Sequence, residues 1–120
     1  MGDVFIMSSH TLSDAQYHSQ ASAVLARIEA QVDAWLEADI IDIDTHRTGG
    51  LLELVFPNAS KIIINLQPPL HELWMAAKAG GFHFHWRNGL WQDTRDGSEF
   101  FACLSAHASQ QGGQALTFQP

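Results

Sequence analysis

The chain is poor in the residues that announce most biochemical classes. It has one cysteine, Cys103, in 120 residues. A lone thiol can form no internal disulfide and hold no cysteine-ligated cluster, which fits a reducing compartment. Cations are scarce as well: six Lys and Arg stand against 13 Asp and Glu, for a formal net charge of −7. Such a surface repels nucleic acid and anionic membrane, and attracts cations and basic protein surfaces. No apolar run approaches the roughly 20 residues of a membrane span. The first residues have neither a basic region nor a long apolar stretch, so no secretory signal is expected. GxSxG, P-loop and Rossmann glycine patterns are missing, and no His pair has HExxH spacing. These gaps lead to the expectation of a cytoplasmic protein that is not an enzyme and has no organic cofactor.

What is present has the size of one ordinary domain, with 46% hydrophobic residues to build a core. Residues 1–11 are expected to be a flexible tail, with Met7 as an alternative start, and 12–120 a single domain. Ser13-Asp14-Ala15-Gln16 reads as a capping box, with Leu12 and Tyr17 as a hydrophobic staple around it. Apolar positions then recur at Tyr17, Ala21, Val24, Leu25, Ile28, Val32, Trp35 and Leu36, predicting a helix over 14–38. Short β segments follow: Ile41 and Ile43 alternating with Asp42 and Asp44, then 51–56 after a Thr48-Gly49-Gly50 turn, then 61–67. Pro68-Pro69 breaks that strand. Residues 70–78 fit a helix or a strand, and the flanking strands favour the strand. Phe82, Phe84 and Trp86 alternate with His83, His85 and Arg87, and Asn88-Gly89 marks a hairpin into 90–94. Asp96 or Ser98 is expected to cap a second helix, which Gly112-Gly113 ends before a short extended tail at 115–118. The predicted fold is α+β: a two-layer sandwich with the N- and C-terminal helices on one face of an antiparallel sheet of five to seven strands.

Three groups of residues could carry chemistry. Glu29, Asp33, Glu37, Asp39, Asp42 and Asp44 place six carboxylates within sixteen residues, with no Lys or Arg between Arg27 and Arg47. The first three recur every four residues and form one helical stripe; the last two share a strand face. A solvated helix face is the ordinary reading of such a stripe. Against it, Glu37 and Asp39 lie at the negative end of the helix dipole, and no i,i+4 cation offsets them. Carboxylates so held suit hard cations such as Mg²⁺, Ca²⁺, Mn²⁺ or iron. His83 and His85 share a strand face but lack a third ligand on that strand, so an exposed pair is the simpler reading. Trp74 is either core, if 70–78 is a helix, or an outward residue beside Glu72 with Asn65 and Gln67 nearby, as a protein-binding hot spot would be. Cys103 falls on the apolar side of the second helix and reads as a structural thiol.

The run Asn58-Ala59-Ser60-Lys61-Ile62-Ile63-Ile64-Asn65-Leu66-Gln67-Pro68-Pro69-Leu70-His71-Glu72-Leu73-Trp74 resembles the central block of the frataxin family, in its bacterial CyaY-like branch. Gly80-Gly81-Phe82-His83-Phe84, Trp91 and Asp96-Gly97 extend the likeness, which covers about residues 12–118. The resemblance implies a strand at 70–78 and weak binding of Fe²⁺ or Fe³⁺ by acids of the first helix and first strand. It also implies association with the cysteine desulfurase and the scaffold protein of iron–sulfur cluster assembly. On this sequence the acidic ridge would be Glu29, Asp33, Glu37, Asp39, Asp42 and Asp44, and the outer sheet contact Asn65, Gln67 and Trp74. A monomer is expected, with iron-induced oligomers as the alternative. Ala30, Gln31, Ala34, Leu36 and Ala38 stand where relatives often carry further acids, so the ridge is thinner than the family pattern. Two readings compete: a small metal-dependent enzyme using His83 and His85, and a metal-independent interaction module.

Overall fold

Ser13 starts the first helix as its spacing predicts. In the computed structural model, which describes residues 11–120, its hydroxyl accepts from the Gln16 N–H at 3.1 Å. The Gln16 side chain accepts from the Ser13 N–H at 2.8 Å in return. Helix α1 then runs Asp14–Glu37 and buries Tyr17, Ala21, Val24, Leu25, Ile28, Val32 and Trp35 along one face. The expected flexible tail at 1–11 and the alternative start at Met7 fall on residues outside those described, apart from Thr11.

Six strands follow, β1 (Asp44–Thr48), β2 (Leu51–Val55), β3 (Lys61–Gln67), β4 (Glu72–Ala77), β5 (Gly80–Arg87) and β6 (Leu90–Asp93), and then helix α2 (Phe100–Gly112). The strands pair in chain order, each antiparallel to the next, as one six-stranded meander. Every connection is a short hairpin. At Asn88-Gly89 both residues take positive φ, 54° and 76°, as the tight primed turn demands. Residues 70–78 resolve as a strand over Glu72–Ala77, preceded by a 3₁₀ turn at Pro68–Leu70.

Alternation along each strand sends one set of side chains to the core. Leu52 and Leu54, Ile62 and Ile64, Leu73 and Met75, Phe84, and Trp91 are buried beneath the two helices. Burying each large apolar side chain contributes about 1.5–3 kcal/mol. Tyr17 ties the layers together: its hydroxyl donates to the Glu72 carbonyl at 2.7 Å and accepts from the Gln67 N–H at 3.0 Å. Burial raises its pKa above the ordinary value, and the nearby Glu72 carboxylate pushes the same way against the Gln67 hydrogen bond.

Two local expectations need correction. The first ladder begins only at Asp44, although Ile41 and Ile43 are buried and Asp42 is exposed as the alternation requires. The reason is the partner: β2 ends at Val55, which pairs with Asp44, and Pro57 follows. The cap of α2 is Glu99 rather than Asp96 or Ser98. Its carboxylate accepts from the N–H groups of Phe101 at 2.7 Å and Ala102 at 3.0 Å. Asp96 is engaged one turn earlier, where the Ser98 N–H donates to it at 2.9 Å and lowers its pKa. The acidic stripe has no i,i+4 cation, as its spacing implies, and among the described residues only Glu29 gains one from another element, Arg47 of β1.

The tail after α2 is extended and docked. Gly113 closes the helix at φ 70°, and Leu116 and Phe118 are buried. The Leu116 and Phe118 N–H groups donate to the hydroxyls of Ser109 and Ser105 at 2.9 and 2.8 Å. Phe118 meets Trp35 of α1 edge to face, with centroids 4.8 Å apart. Cys103 is half-buried; burial raises its thiol pKa, and Asp93, Asp96 and Glu99 add to that against Arg95. A thiol held protonated in this way suits packing rather than nucleophilic attack. Among the described residues no helix is long and apolar enough to cross a membrane.

Candidate functional site

Glu29, Asp33 and Glu37 stand on α1 away from its buried face, Glu29 half-buried and the other two exposed. The helix then ends in a Schellman turn. The Asp39 N–H donates to the Leu36 carbonyl at 3.0 Å and the Ile40 N–H to the Trp35 carbonyl at 2.9 Å. Asp39 therefore sits in the left-handed region, φ 59°, a position that favours glycine and that Asp tolerates better than most residues. Asp42 and Asp44 follow, exposed, with Ile41 and Ile43 turned into the core between them.

The register of β1 divides the six acids between two sides of the same edge. Asp44 pairs with Val55 and so lies on the outer face of the sheet, as Asp42 does by alternation. Arg47 pairs with the buried Leu52 and lies on the helix side. From there its Nη1 reaches Glu29 Oε1 at 2.7 Å. Both side chains are about one-third exposed, so the ion pair is worth only about 0.2–1 kcal/mol. Asp33, Glu37, Asp39, Asp42 and Asp44 have no salt-bridge partner among the described residues. Nor do any three Asp, Glu, His or Cys side chains among the described residues converge closely enough to cage a metal ion. The donors are hard oxygens, yet their spread matches one or two carboxylates per ion, with water completing the coordination.

A second cluster lies on the sheet face that the helices leave open. Asn65 of β3 stands opposite Trp74 of β4, which stands opposite His83 of β5. Two residues along, Gln67, Glu72 and His85 form the parallel row. Asn65, Gln67 and Trp74 are thus brought together on one outward face, each half-buried. The choice left open for Trp74 is settled against the core: its ring stacks on His83, centroids 4.1 Å apart and planes at 5°. Its Nε1 donates to Glu72 Oε1 at 2.9 Å. His83 and His85 share this face, with Glu72 opposite His85, but that carboxylate is engaged by Trp74 and the His83 ring by the stack. The roles of Arg47, Glu72 and His83 were not readable in the sequence, because each depends on strand register; only the i,i+2 spacing of Glu72 and Trp74 hinted at theirs.

Two helices packed on a six-stranded antiparallel meander are the architecture this chain shares with solved frataxin structures. The chain belongs to that family: the frataxin-like domain model matches residues 10–114. It is 53% identical over 107 residues to the iron–sulfur cluster assembly protein CyaY of Burkholderia mallei and of Burkholderia pseudomallei, covering 89% of this chain and 98% of theirs. Among solved structures, frataxin from Psychromonas ingrahamii superposes with a TM-score of 0.80 at 34% identity, over 91% of this chain and all of that one. Trimeric frataxin from Saccharomyces cerevisiae, complexed with ferrous iron, gives 0.67 at 23% identity, over 87% of this chain and 89% of that one. At that identity the likeness concerns the fold alone.

Proposed function

We propose that this chain is an iron-binding accessory and regulatory protein of iron–sulfur cluster assembly, cytoplasmic and without turnover of its own, with residues 12–120 as its one domain. Glu29, Asp33, Glu37, Asp39, Asp42 and Asp44 form a ridge that docks on a basic surface of the cysteine desulfurase and holds Fe²⁺ or Fe³⁺ weakly. Asn65, Gln67 and Trp74 form a second contact face toward the assembly machinery, the desulfurase and the scaffold protein. The observation that carries this reading is the carboxylate series running from the second half of α1 into β1, five of whose six members are exposed and have no salt-bridge partner among the described residues. The name of the Burkholderia relatives supports the process. Iron bound here would neutralise ridge charge and leave easily, because one or two monodentate carboxylates compete with water for it. The protein would act as a monomer, with iron-induced oligomers as the alternative.

Binding of the full chain to purified desulfurase tests the dock. Glu37→Lys with Asp42→Lys is expected to weaken it about tenfold or more, and added salt to weaken the unsubstituted chain in the same direction. Salt-insensitive binding that ignores the double substitution would refute the electrostatic dock.

A further inference from the structure

Within the acidic ridge stand two large aliphatic side chains that the core does not take. Leu36 is 53% exposed and Ile40 47%. The other exposed large hydrophobics among the described residues, Leu51, Leu70 and Leu90, are scattered singly. Leu36 and Ile40 instead belong to one Schellman turn, on either side of Glu37, Ala38 and Asp39. In such a turn the residue at the position of Ile40 commonly packs back on the last helical turn. Here it keeps nearly half its surface in water.

We propose that Leu36 and Ile40 are the apolar anchor of the ridge, and that the surface docking there is basic around an aliphatic spot of its own. This rests on the reading that the ridge is a protein-docking surface, and names what that surface must recognise. Charge complementarity fixes the kind of occupant. Asp33, Glu37, Asp39 and Asp42 flank the pair along the chain, all exposed, and no Lys or Arg lies between Arg27 and Arg47. An acidic apolar partner would meet those carboxylates at a cost; a basic one is drawn to them. Exposed charge pairs steer and select but add little affinity, whereas desolvated apolar area adds affinity that salt does not screen. The turn is also set in advance. Backbone hydrogen bonds of 2.9–3.0 Å from Ala38, Asp39 and Ile40 hold it, and Gln114 Nε2 donates to the Ile40 carbonyl at 3.4 Å. Little backbone ordering is then left to oppose binding.

The test titrates purified cysteine desulfurase against the full chain across a salt series. Three variants accompany it: Leu36→Ser with Ile40→Ser, Leu36→Met with Ile40→Val, and Glu37→Lys with Asp42→Lys. The serine pair is expected to bind about tenfold or more weakly at every salt concentration, with the salt slope unchanged. The Met/Val pair should bind as the parent does, which separates lost apolar area from a disturbed turn. The charge variant should lose the slope. Serine substitutions that leave affinity unchanged overturn the anchor while the electrostatic dock stands. Equal loss in the Met/Val pair also overturns it, because side-chain identity rather than apolar area would then be at work. A parent chain that does not bind, or binds without salt dependence, overturns the docking reading and the anchor with it.

Discussion

The two ends of α1 are built on opposite rules. At the N-terminus the side chains of Ser13, Asp14, Gln16 and Tyr17 each have a polar partner. Ser13 and Gln16 close a capping box, Asp14 Oδ1 lies 2.6 Å from His71 Nε2, and the Tyr17 hydroxyl bridges β3 and β4. The His71 ring stacks on Tyr17 with planes at 6°, and Asp14 sits where the helix dipole favours an anion. At the C-terminus Glu37 and Asp39 stand where the dipole disfavours them, Asp39 has a positive φ, and two aliphatic side chains face water. One end spends its side chains on holding helix to sheet. The other keeps charge and apolar surface free at some cost in stability, the pattern expected where the ligand lies outside the chain.

The contrast can be broken from either side. Tyr17→Phe removes a hydroxyl that serves two part-buried backbone groups, so a loss of about 1–3 kcal/mol is expected in denaturant unfolding. The same substitution should change the alkaline limb. Because the folded pKa of Tyr17 is raised, the folded state keeps its proton longer than the unfolded state. The resulting stability is present below the ordinary value of 10.0 and is lost as pH rises through the folded value. The Phe variant should lack that fall, and an unchanged limb would place the alkaline sensitivity elsewhere.

At the opposite end substitutions should stabilise. Asp39→Gly relieves the left-handed backbone and removes an acid from the helix end, for a gain of about 0.5–1 kcal/mol, read as a rise in Tm. Asp33→Asn with Glu37→Gln should give a smaller gain, about 0.3–1 kcal/mol at low salt. Fe²⁺ added without oxygen should raise the Tm of the parent chain and do so less in this double variant. If neutralising these acids destabilises the chain, they are structural and the contrast between the two ends fails.

Much of this molecule is written locally. The capping box at Ser13, the 3.6-residue apolar period of α1, the alternation at Ile62 and Ile64, and the Asn88-Gly89 turn act over a few residues each, so they are legible one segment at a time. Hairpins between successive strands then leave little choice of sheet order, which is why a meander under two helices could be read before any coordinates. Caps were less legible: three acids or hydroxyls compete between Asp96 and Glu99, and the bridge pairing Gln92 with Glu99 accompanies the choice of the last. The acidic residues themselves were visible as spacing, down to the stripe at Glu29, Asp33 and Glu37. What surrounds them was not. That Arg47 reaches Glu29, that Trp74 lies on His83 rather than in the core, and that Leu36 and Ile40 stay uncovered are facts of register and packing between distant segments. A one-residue change of register would send Arg47 to the other face and leave every local pattern intact. Local chemistry therefore determined the elements and the charge they carry; only their assembly decided which charges are neutralised and which side chains are left for a partner.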